Sequence, residues 1–129
     1  MNISDNIDLS YTDSGANAID LNFEIQDRPT SGPTFAAASP QGDVAGQPDM
    51  KITQTETSGG ILKSRLFIKV PVFNSTTGVY PRHRQFELVV TRDNLDDVDD
   101  LVDFVKGVCA SAATGDLAAE LPAIMAGNK

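Results

Sequence analysis

The sequence predicts an α+β fold, an N-terminal β-hairpin plus an antiparallel β-meander with two C-terminal helices. Three observations predict it. Apolar and polar residues alternate in short runs over the first 92 positions, which is the period of half-buried strands. At Asp93 the apolar spacing changes to three and four, the period of an amphipathic helix. Glycine and proline gather between the alternating runs, where turns and loops belong.

Ile7, Leu9 and Tyr11 form the first run and Ile19, Leu21, Phe23 and Ile25 the second. Asp13-Ser14-Gly15 makes the turn between them, so residues 1–27 read as a hairpin. Residues 28–48 carry Pro29, Pro33, Pro40 and Pro48 with Gly32, Gly42 and Gly46, a loop interrupted by one short strand over 34–39. Met50 and Ile52 then alternate with Lys51 and Thr53, and a Thr57-Ser58-Gly59-Gly60 turn follows. Leu62, Leu66, Ile68 and Val70 next alternate with Lys63, Arg65, Phe67 and Lys69 in a strand that stops before Pro71. After a loop over 73–81, the last strand sets Phe86, Leu88 and Val90 on one face and Gln85, Glu87 and Val89 on the other. One-sided alternation of this kind implies a sheet with one face on a core and the other exposed.

Leu95, Val98, Leu101, Val102, Val105, Val108, Cys109 and Ala112 predict a helix over 94–113, capped by Asp93 or Asn94. Asp96, Asp97, Asp99, Asp100 and Asp103 read as its solvated face, with acids favoured near the positive helix start. Their helical spacing lacks the glycine and ligand order of a calcium loop, so no metal is expected. Gly115 ends this helix, and Pro122 is placed at the first position of a short second helix with Ile124 and Met125 inward. The whole of 1–129 is read as one domain: hairpin 1–27, sheet 34–92 and helices 93–129. Five strands about 4.8 Å apart make a sheet roughly 24 Å wide, whereas a helix is about 10 Å across. One long helix and one short one cannot cover that sheet, so the fold is expected to be completed by a twofold dimer. Joining two sheets edge to edge would also pair an edge strand otherwise left open.

Charge is distributed unevenly. Residues 1–50 hold one basic and eight acidic side chains, 51–92 seven and two, and 93–129 two and eight, within a net charge of −8. A positive band on paired strands inside an acidic protein points toward a polyanion, RNA above all. Catalysis has little to stand on: there is one histidine, no tryptophan, no cysteine pair, and no phosphate loop or nucleophile elbow, so no enzyme and no cofactor are expected. His83 lies between Arg82 and Arg84 with no carboxylate adjacent to orient it as a base, and reads as a polar strand or loop position, with direct nucleic-acid contact second. Cys109 is expected to pack as a small apolar residue. Asn74-Ser75-Thr76 fits a glycosylation sequon, a pattern too short to carry weight without a secretion signal. The N-terminus has neither the basic region nor the apolar run of a leader, and no apolar run is long enough to span a membrane.

The order of elements, the strand Arg65-Leu66-Phe67-Ile68-Lys69-Val70-Pro71 and the segment Leu121-Pro122-Ala123-Ile124-Met125-Ala126 together resemble the coat protein of the small single-stranded RNA bacteriophages, the levivirus group. The resemblance implies a homodimer tiling an icosahedral shell, helices outward and sheet toward the packaged genome, in a virion assembled in the bacterial host cytoplasm. It also implies binding of an RNA hairpin to repress translation. Carried across residue by residue, the RNA-facing positions are Lys51, Thr53 and Thr55, then Lys63, Arg65 and Lys69, then Gln85. The 73–82 loop would lie at the symmetry axes. The family's stacking tyrosine on the last strand is replaced here by Gln85, which keeps phosphate contacts but puts hairpin-specific base recognition in question. The competing class is a dimeric α+β nucleic-acid-binding or adaptor module that forms no shell.

Overall fold

The computed structural model describes residues 3–13, 15–57 and 59–127. Ser14 and Ser58, assigned from sequence to two turns, lie outside the described residues, as do Met1 and Asn2 of the N-terminus. The chain divides into two compact units, Met1–Thr91 and Arg92–Lys129.

The first unit is an antiparallel meander of six strands in sequence order: β1 (Asn6–Thr12), β2 (Ala18–Asp27), β3 (Thr34–Ala36), β4 (Asp49–Glu56), β5 (Leu62–Asn74) and β6 (Val79–Arg92). The register aligns the apolar positions across strands. Ile7 opposes Phe23 and Leu9 opposes Leu21; Ile25 opposes Phe35, Phe35 opposes Met50, and Met50 opposes Ile68. Directly paired residues share a face of an antiparallel sheet, so these side chains form one continuous apolar stripe. Leu21, Phe23, Phe35, Ala37 and Met50 are its buried centre. Burying a side chain such as Phe23 contributes about 2–3 kcal/mol.

Several boundaries differ from expectation. The strand over 34–39 shortens to three residues, and the chain then turns through Ala37 and Ser39 into a loop. The strand expected to stop before Pro71 continues to Asn74: Pro71 lies beyond the stretch Leu62 to Lys69 that pairs with β4, so its missing amide removes no bond from the β4–β5 ladder. The expected 73–81 loop collapses to a tight turn. The Asn74 side chain accepts from the amides of Thr76 (2.9 Å) and Thr77 (3.2 Å), and Gly78 takes the left-handed conformation at φ 72°. Pro81 falls inside β6, the edge of the sheet, where a proline is tolerated.

The second unit holds α1 (Val98–Thr114) and α2 (Asp116–Met125), packed on each other and joined by Gly115. Its start is later than periodicity implies. Asp97 caps α1, accepting from the amides of Asp99 (2.9 Å) and Asp100 (3.1 Å), while Asp93 instead closes a turn with Leu95 and Asp96. Leu95 is therefore outside the helix and 90% exposed. α2 begins six residues before Pro122, which lies within the helix rather than at its first position. Leu117, Ala118, Ala119 and Glu120 are good helix formers, and the shared Gly115 lets the chain restart at once. Neither helix has a buried residue. Cys109, expected to pack as an apolar residue, is exposed, and so are Ile124 and Met125.

Candidate nucleic-acid interface

On the face of the sheet opposite the apolar stripe, the β4–β5 register sets Thr55 against Lys63, Thr53 against Arg65, Lys51 against Phe67 and Asp49 against Lys69. Six of the seven residues assigned from sequence thus form one two-strand patch, running roughly 20 Å along the strands at about 3.4 Å per residue. Lys51, Thr55, Lys63 and Arg65 are exposed, and Thr53 and Lys69 are half-buried. Gln85 is exposed on β6 and has the parity of Glu87, which joins this face through Arg65. It also borders a cleft of about 410 Å³ with Leu9, Tyr11, Ile68, Val70 and Phe86.

Three residues that sequence reasoning left out shape this surface. Glu87 Oε1 lies 2.5 Å from Arg65 Nε, so Arg65 is an ion-paired cation and Glu87 brings a negative charge onto the basic face. Both side chains are close to half exposed, which limits the worth of the pair to about 0–1 kcal/mol. Phe67 is the second: the Arg65 guanidinium carbon sits 5.1 Å from its ring centroid, a cation–π distance. Asp49 is the third, an acid paired in register with Lys69. Phe67 was in view in the alternation of β5 and Glu87 in that of the last strand, on the face of Gln85, whereas the Arg65–Glu87 and Asp49–Lys69 neighbours needed the strand pairing to be known.

At the start of β6 the hairpin is fastened to the 39–46 loop. Tyr80 donates its hydroxyl to Asp43 Oδ1 (2.7 Å), Ser39 Oγ donates to the same oxygen (2.8 Å), and Ser39 Oγ accepts from the Gln41 amide (3.1 Å). The Tyr80 bond, aided by Ser39, holds the Asp43 carboxyl below its ordinary value, while desolvation, with Asp43 adding to it, raises the Tyr80 phenol. Gly46 is required here, since a Cβ on it would meet the Tyr80 hydroxyl at 2.2 Å and Ser39 Oγ at 2.3 Å. The Tyr80 ring also packs tilted against Phe73, centroids 5.3 Å apart.

Among the described residues no group of three or more His, Cys, Asp or Glu side chains is placed to hold a metal ion, and no helix is long and apolar enough to cross a membrane. A six-stranded meander followed by two helices is the coat-protein fold of levi-like bacteriophages. Among solved structures with this fold, the virus-like particle of Beihai levi-like virus 21 superposes with a TM-score of 0.68 at 11% identity, covering 95% of this chain and 94% of that one. The virus-like particle of bacteriophage ESE058 gives 0.69 at 12% identity, covering 92% and 94%. The bacteriophage EMS014 coat protein gives 0.68 at 13% identity, covering 84% and 72%. No protein-family model matches the chain. No curated protein sequence does either.

Proposed function

We propose that this chain is a bacteriophage capsid subunit: one domain over 1–129 that forms homodimers, which close into an icosahedral shell around single-stranded RNA. The observation that carries this reading is the likeness of fold along nearly the full length of both chains, 95% and 94% for the levi-like particle. Edge exposure supports the dimer. β6 is the last strand of the sheet and 14 residues long, and Phe86 and Val89 on it are 54% and 46% exposed. Joining β6 of two copies would pair that edge, and the uncovered apolar residues of the helices would find cover on the second copy. The basic patch supports the RNA contact, with Lys51, Thr53, Thr55, Lys63, Arg65, Lys69 and Gln85 facing the genome, or an RNA hairpin in translational repression. The 74–78 turn would lie at the symmetry axes, and the virion, filled in the bacterial cytoplasm, would be where the protein resides.

The test is expression of the chain alone in bacteria. Closed particles should appear by electron microscopy, sediment far ahead of a dimer and absorb strongly at 260 nm from host RNA, taken up through the salt-dependent attraction of the basic face. A soluble dimer that forms no particles across a range of salt and protein concentration would assign the chain to the shell-free module instead.

A further inference from the structure

The geometry points to Phe67 as a base-stacking platform for single-stranded RNA, a role in base contact distinct from the phosphate contacts of the surrounding cations. This inference rests on the RNA-facing reading of the sheet. β5 otherwise keeps polar side chains on this face from Lys63 to Lys69, and Phe67 alone interrupts them with an aromatic ring. The ring is half-buried rather than enclosed, so part of it remains open to solvent. Lys51 faces it from β4, and Arg65 and Lys69 stand two residues away on either side of it along β5. The Arg65 guanidinium, 5.1 Å from the ring centroid, already uses the negative π-surface as a favourable partner.

An aromatic ring set among cations suits a nucleotide. The base stacks on the ring and the flanking phosphates meet the ammonium and guanidinium groups, with tolerance of base identity because every base has a π-face. Glu87 fits the same arrangement, since its bond to Arg65 Nε holds that side chain beside Phe67.

The sequence contains no tryptophan, so Phe67→Trp supplies a single indole reporter at the site. The purified full chain, freed of host RNA, is titrated with oligoadenylate and with inorganic polyphosphate, a polyanion without bases. Phe67→Leu should weaken oligoadenylate binding roughly tenfold and leave polyphosphate binding and the salt slope unchanged. Phe67→Trp should keep oligoadenylate affinity, and its emission should fall on adding oligoadenylate but not polyphosphate. Equal losses for both ligands in Phe67→Leu, or unchanged indole emission while oligoadenylate binds, would overturn the platform and leave the RNA-facing reading intact. Failure of the unsubstituted chain to bind either polyanion overturns both.

Discussion

Tyr80 and Asp43 form a two-group fastening whose strength depends on pH in a defined direction. The Asp43 carboxyl is lowered from 3.8 chiefly by the Tyr80 hydroxyl, so the stabilisation is fully present above the unfolded carboxylate value and is lost as pH falls through the folded one. Tyr80 is raised from 10.0 chiefly by desolvation, so its contribution holds below that pH and is lost on rising through the folded value. The fastening is therefore complete across the neutral range. Acidification below about pH 4 should lower the protection of the Gln41 and Gly42 amides relative to their intrinsic exchange rates at that pH, and Tyr80→Phe should show low protection already at pH 7 with little further change on acidification. Asp13, also lowered, by the Asn17 amide first, titrates in the same acid window, so the comparison with Tyr80→Phe isolates the Asp43 contribution. Glu87 leads to a second expectation at this scale. If the basic face meets RNA, Glu87→Gln removes a like charge beside the phosphates and frees Arg65. Affinity for single-stranded RNA should rise about fivefold, from the roughly 1 kcal/mol between charges about 4 Å apart in water. The salt slope should steepen by about 1, measured by filter binding across ionic strength.

At the scale of elements, the aspartates around the start of α1 have different tasks, and their spacing alone could not separate them. Asp97 satisfies two free amides at the helix start, whereas Asp99 and Asp100 lie in the first turn near the positive end of the dipole. Asp97→Ala should lower stability by about 1 kcal/mol in urea unfolding, and Asp97→Asn or Asp97→Ser should restore most of it. Asp93→Ala should cost less to α1, since its bonds go to Leu95 and Asp96 outside the helix. The apolar period in 94–113 was legible and the helix lies nearly there. Its first turn was not, because Leu95 fits the period but the chain before Asp97 is held by local Asx bonding. The β5–β6 turn departs from its composition for a related reason: Pro71, Gly78 and Pro81 are loop residues by type, yet Pro71 lies past the β4 pairing, Pro81 is on the edge strand, and the Asn74 side chain closes the turn at Gly78.

For the whole molecule, the notable quantity is apolar surface left open within one copy. Val98, Val102, Phe104 and Val108 of α1 are between 41% and 67% exposed, and Leu117 and Ile124 of α2 are 41% and 54% exposed. If a second copy covers these helices, Leu101→Asp together with Val105→Asp places two charges in the seam. The double variant should be insoluble or unfolded on expression, since obligate homodimers often have no stable folded monomer and a buried unpaired charge is strongly destabilising. A soluble, cooperatively folded monomer by analytical ultracentrifugation would contradict the dimer.

Alternation and its change of period were sufficient, from sequence alone, for the class of the fold, the face each strand buries and the grouping of Lys63, Arg65 and Lys69. These are local properties: side-chain direction in a strand repeats every two residues whatever the strand pairs with. What the tertiary structure decided is everything that depends on which residue lies opposite which. Only the β4–β5 register put Lys51 against Phe67 and Asp49 against Lys69, and only the pairing of β6 brought Glu87 to Arg65. Only the closed turn at Asn74 brought Tyr80 to Asp43, 37 positions away. A one-residue change in strand pairing would alter each of these neighbours while leaving the sequence pattern that predicts the strands untouched.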